Sequence, residues 1–212
     1  AGGIWWGISD AVSVGLAYQY EMSMDEFGDY ADLFAERGGF DIPSSLKAGV
    51  SFLANDSLRV NVDVEHTTYG EIKSIANPMQ NLFSCPIVPF GTELENCLGG
   101  SAGGGFGWDD MTVYKAGLRW KAGQDWTWRF GYSYGKQPIE GGLNPMLSQM
   151  SFNILAPAVV EWHITAGATK KFGKDSELSV SLMYAPENSE SGNSTGTQEI
   201  ELSMDQFEIE AS

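Results

Sequence analysis

Along most of the chain, apolar residues fall at every second position. Val12, Val14, Leu16, Tyr18, Tyr20, Met22 and Met24 alternate with Ser13, Gly15, Ala17, Gln19, Glu21, Ser23 and Asp25. Successive side chains of a strand point to opposite faces, so a period of two gives one apolar face and one polar or small face. The alternation is cleanest in Leu58, Val60, Val62 and Val64 against Arg59, Asn61, Asp63 and Glu65. It predicts strands over 12–24, 45–53, 58–67, 112–121, 126–135, 160–171 and 177–184. Segments 4–8 and 200–211 bring the expectation to about nine strands and no helix. In the last segment the apolar set changes phase, from Ile200, Leu202 and Met204 to Phe207, Ile209 and Ala211. A bulge near Asp205 would explain the change.

The connections are of two kinds, and they alternate. Ser9-Asp10, Asn55-Asp56, Gly123-Gln124-Asp125 and Gly173-Lys174-Asp175 have the composition of tight turns. Between them lie long stretches at 26–43, 72–109, 137–157 and 185–197. A membrane barrel has this rhythm, with short periplasmic turns and long outer loops. A soluble β-sandwich also alternates, with its apolar face turned inward. Against it stand charges within strands on the polar side (Lys47, Asp63, Arg119, Arg129, Glu161). Aromatics near strand ends also oppose it, including Trp120 and Trp126, expected to meet across a turn. The reading is therefore all-β: an antiparallel transmembrane barrel with Val60, Val62, Ala116, Leu118, Phe130 and Ile164 facing lipid.

Composition narrows the function. The 212 residues contain no apolar run of the ~20 residues a membrane-spanning helix needs. A formal charge of −16 argues against nucleic acid as a partner. The two cysteines, Cys85 and Cys97, lie close together in a Pro- and Gly-rich stretch without zinc-type spacing. They form a disulfide or stay as idle thiols, and the disulfide, favoured here, implies an oxidising compartment. The chain opens on Gly2-Gly3-Ile4-Trp5-Trp6 without a signal peptide, so an amino-terminal portion is expected to be missing.

The motifs have a family look. Ile42-Pro43-Ser44-Ser45-Leu46-Lys47-Ala48-Gly49-Val50 resembles the strand opening of FadL/TodX-type outer-membrane transporters of hydrophobic compounds. Gly107-Trp108-Asp109-Asp110 resembles the family's Trp-x-Asp entry into a strand. Trp126-Thr127-Trp128-Arg129-Phe130-Gly131-Tyr132-Ser133-Tyr134 resembles its Trp-x-hydrophobic-Arg-x-Gly strand. Gln137 stands where the family has Ser. The resemblance implies a bacterial outer-membrane barrel of fourteen strands, of which this chain would be the carboxy-terminal half. Residues 1–212 would then belong to one barrel domain, with the amino-terminal hatch and early strands absent.

The resemblance also implies function: passive uptake of hydrophobic small molecules, with long-chain fatty acids as the expected ligand. The alternative is a structural or adhesive barrel acting through its loops. An enzyme is not expected, since His66 and His163 sit in separate strands on opposite faces and no metal motif occurs. No cofactor is expected. Outer-membrane lipid and lipopolysaccharide are the expected partners besides the ligand, and the sequence does not set the oligomeric state. Candidate ligand-binding residues are the inward Arg129, Lys115 and His163, with Phe83, Phe90, Phe152 and Leu155 in unusually apolar loops. The glycine run 99–107 lacks the strand, helix and Lys-Ser/Thr of a phosphate cradle and has the composition of a flexible outer loop.

Overall fold

The computed structural model describes residues 1–86, 94–142, 149–173, 176–194 and 198–212. Nine strands form one antiparallel sheet in chain order: β1 Gly2–Gly7, β2 Val12–Gln19, β3 Ser45–Asn55, β4 Leu58–Thr67, β5 Met111–Ala122, β6 Trp126–Gly135, β7 Trp162–Phe172, β8 Ser176–Asn193 and β9 Glu199–Ala211. Each strand pairs only with its sequence neighbours, leaving β1 and β9 at the edges.

The register turns the alternation into continuous transverse rows. Leu58, Trp120, Trp128, Ala168 and Val180 stand side by side on one face. Trp5, Gly15, Gly49, Asp63, Lys115, Ser133 and His163 do so on the other. The apolar face is bare: Val62 is 52% exposed, Phe130 47% and Ile164 45%. Most buried apolar residues, among them Phe34, Ile72, Met79, Phe106, Ile139, Met150 and Val159, instead lie in the connections. A sheet that keeps its core in its loops and exposes an apolar face across every strand is built for a nonpolar solvent. At the short-turn end, Trp126 and Trp128 stack at 5.6 Å, with Lys170 over Trp126 at 5.2 Å. Aromatic rings with a lysine over them at one end of the apolar face are the arrangement that membrane barrels place at their interface girdles.

Four local expectations are corrected. Strand β2 stops at Gln19 rather than residue 24, because Pro43 offers no amide to continue the ladder. Only the bridge Met22–Ile42 persists beyond it. The part of 185–197 up to Asn193 is not a loop, since β8 runs on to that residue against β9, and 195–197 lie outside the described residues. Both faces of that extension carry polar residues, so the hydrophobic period fades while the hydrogen-bond ladder continues. The irregularity at Asp205 lies in the partner strand, where Pro186 and Glu187 together stand opposite Asp205. The phase change in β9 is consequently a real switch of face. Leu202 turns toward Ile139, Met150 and Val159, whereas Phe207 and Ile209 stay exposed with Tyr184 and Leu182. Trp126 does not meet Trp120: the turn closes on the pair Ala122 and Trp126, so Trp120 stands opposite Trp128.

An arginine at Val62, in the middle of β4, should cost about 2–4 kcal/mol at mid-bilayer depth. The measurement is the urea midpoint of Val62→Arg folded into lipid vesicles. An unchanged midpoint would place this residue outside the hydrocarbon.

Candidate functional site

The polar face carries the candidate chemistry. Over β1–β4 it forms an open trough of about 540 Å³ whose lining includes Trp5, Gly15, Lys47, Gly49, Asn61 and Asp63. Glycine leaves its floor open, and a Cβ at Gly49 would collide with the Asp63 carboxylate. Beside it Glu65 accepts from Lys47 and from Lys115, each at 2.7 Å. Further round the sheet, Ser133 Oγ and His163 Nδ1 are 2.8 Å apart. The Arg129 guanidinium donates to Thr169 Oγ1 at 2.7 Å, and that hydroxyl lies 2.9 Å from Ser179 Oγ.

At the long-connection end, the loops pack into a cap. Phe34 is in contact with Phe40, Phe106 and Phe152, and Phe106 continues to Trp108. The glycine run is part of this packing, and Gly103, Gly104 and Gly105 are buried. A Cβ at Gly105 would sit 2.7 Å from the Lys73 and Ser74 carbonyls, and one at Gly103 would sit 2.6 Å from the Cys97 carbonyl. These glycines serve close approach rather than the flexibility their composition suggested. Amide side chains pin the run: Asn77 donates to the Gly103 carbonyl, Asn81 to Ala102 and Asn153 to Phe106. Asn153 is fully buried. It also donates to the Gln149 carbonyl and accepts from Trp108 Nε1 at 2.6 Å. Cys85 and Cys97 are bonded, with Cα atoms 4.8 Å apart.

With this geometry in hand, solved structures give close likenesses of fold. The P. putida toluene transporter TodX superposes with a TM-score of 0.58 at 16% identity, covering 99% of this chain and 46% of that one. A Pseudomonas aeruginosa FadL homologue gives 0.60 at 14%, covering 99% and 50%. The Ralstonia pickettii toluene transporter TbuX gives 0.52 at 14%, covering 99% and 46%. The fold is that of the TodX and FadL-type channels. No family profile matches the chain, and no curated protein does. The chain spans about half the length of these TodX and FadL-type structures. These structural neighbours are transport channels rather than enzymes.

The structure separates the residues singled out from sequence. Lys115, Arg129 and His163 share the polar face. Lys115 is neutralised by Glu65, and His163 is engaged by Ser133, whereas Arg129 has only hydroxyl company. Phe152 is drawn into the cap, Phe83 is half-buried in the 3-10 turn Met79–Ser84, and Leu155 is left 63% exposed. Phe90 lies outside the described residues. Trp5 and the hydroxyl partners of Arg129 escaped sequence reasoning. Strand parity places them on the right face, but only the register shows which of them meet.

Two expectations follow for the cap. Asn153→Ala leaves the Trp108 indole and the Phe106 carbonyl without their partner and should cost about 2–4 kcal/mol. The measurement is hydrogen exchange of the 99–107 amides, which should quicken if the cap loosens. Removing the disulfide, which closes a separation of 12 residues, should cost about 3 kcal/mol in the chain-entropy account. Chemical denaturation of Cys85→Ser/Cys97→Ser beside the parent protein tests it.

Proposed function

We propose that the chain is part of one outer-membrane barrel domain that passively takes up small hydrophobic molecules, with long-chain fatty acids as its ligands. Outer-membrane lipid, including lipopolysaccharide, surrounds it. The supporting observation is a sheet with the TodX and FadL-type fold whose apolar face is bare and whose polar face holds an open trough beside Trp5. No chemistry is required of such a path: a hydrophobic molecule moves down its own gradient once the barrier of the headgroup layer is bypassed.

Charge distinguishes acids from hydrocarbons. Lys115 already serves Glu65, so a ligand carboxylate would have to compete with an internal one. Arg129 has no such competitor and is the better reader of a carboxylate. Leu94 and Leu155, 78% and 63% exposed at the loop end, favour the second reading, an adhesive barrel, if no ligand binds.

A desolvated charge-assisted contact is worth roughly 1.5–3 kcal/mol. Arg129→Met should therefore weaken binding of a long-chain fatty acid about ten- to a hundredfold. An uncharged hydrocarbon of similar length, titrated in parallel, is the comparison. Equal losses for both ligands would make Arg129 structural. Failure of the parent protein to bind either would leave the adhesive reading.

A further inference from the structure

Arg129 is not alone on its row. Arg59 on β4 stands directly opposite Arg119 on β5, which stands directly opposite Arg129 on β6. Adjacent strands are about 4.8 Å apart, so three guanidinium-bearing positions fall within roughly 10 Å. Like charges facing each other across a ladder destabilise it, and among the described residues no carboxylate pairs with any of the three, Asp125 lying four residues before Arg129. Continuing the row, Gly167 and Ser181 lead to Glu210 on β9, three strands and roughly 14 Å from Arg129. Along β4 the nearest carboxylate of this face is Asp63, about 13 Å from Arg59 at strand rise. Glu177 stands opposite its own cation, Lys171.

The side chains bear the absence out. Among the described residues none of the three arginines forms an ion pair. Arg59 donates from one terminal nitrogen to Ser51 Oγ at 2.8 Å, while its Nε is buried without a hydrogen-bond partner. The Arg119 side chain makes no hydrogen bond to another described residue. Lys121, on the same face of β5, adds a further cation toward the turn. A buried, unpartnered guanidinium donor is costly, and a planar fork of N–H groups is the geometry that carboxylate and phosphate oxygens accept.

We propose that the Arg59–Arg119–Arg129 row is an oxyanion site at the short-turn mouth of the polar face. It holds the carboxylate of an amphiphilic ligand and exchanges it there for a dissolved oxyanion such as phosphate. Exchange answers a problem of release: a carboxylate leaving three clustered cations strands them, unless another anion takes its place. The exchange rests on the channel reading above, whereas the anion site itself does not.

The test is titration calorimetry of the purified protein in a zwitterionic detergent, with inorganic phosphate, octanoate and toluene as probes. Phosphate should bind saturably and more weakly as sodium chloride is raised. Arg119→Gln, which orphans no internal acceptor, should weaken phosphate binding at least about tenfold. Arg119→Lys, which keeps the charge but not the fork, should fall between. Phosphate should displace octanoate and leave toluene in place. Absence of saturable phosphate binding to the parent protein overturns the site, as it would if an acidic side chain already filled the row. Undiminished phosphate binding by a folded Arg119→Gln protein also overturns it. If that variant does not fold, octanoate retained at saturating phosphate in the parent protein overturns the exchange. Phosphate binding without binding of either octanoate or toluene upholds the anion site and removes only the channel reading.

Discussion

A strand in a single sheet with a bare apolar face has one source of backbone partners, the neighbouring strand, and that constraint sets the rest of this molecule. Water is absent from the hydrocarbon, so each amide must be met across the ladder. The chain complies in the most local way available, each strand pairing with the one before and the one after it. Because pairing is continuous, register is continuous, and side chains from many strands line up in transverse rows. The rows, rather than individual strands, are the units that carry chemistry. Trp5 to His163 is one such unit, assembled from seven strands without a loop contributing.

Beyond the regular ladder, toward the long connections, the constraint lifts and the design changes. The β8–β9 hairpin continues its ladder past the bulge at Pro186-Glu187, but its apolar side chains switch face. Leu202 now serves the loop core with Met150 and Val159. Past the bulge the polar side of the sheet becomes the place that hides an apolar group, because the loop core packs against it there. The cap is consequently built like a small soluble protein, with buried aromatics, a satisfied asparagine hub and a disulfide. Its backbone bonds to itself at many points, such as the Gly105 and Gly107 amides on the Asn77 carbonyl, and the side-chain amides of Asn77, Asn81 and Asn153 take up carbonyls of the glycine run.

Sequence reading succeeded where the hydrophobic period was strong and failed where a physical role leaves no periodic trace. The limits of β4 and β6 were legible because valines and aromatics recur at every second position up to a turn. The extension of β8 was hidden because both of its faces are polar. The glycine run misled because close approach and flexibility demand the same residue, and only its neighbours, the carbonyls around Gly105, tell them apart. Arg129 could be picked as an inward cation from parity alone. Its kinship with Arg59 and Arg119 could not, since the three are separated in sequence and joined only by register.

The distribution of charge follows from the same architecture. The chain carries 12 basic residues against 28 acidic ones, yet Lys47, Arg59, Lys115, Arg119, Lys121, Arg129 and Lys171 all lie on the polar face of the strands. Carboxylates concentrate in the connections and on the β8–β9 hairpin instead. A dissolved anion approaching from the loop end meets repulsion before it can sense the arginine row, and screening over about 8–10 Å hides that row from bulk solution. An amphiphile differs, since its apolar tail supplies the free energy to bring the head past that repulsion. From the short-turn end the order reverses and the cations come first. The field therefore distinguishes the two ends of the sheet: carboxylates come first at the long-connection end, and cations come first at the short-turn end.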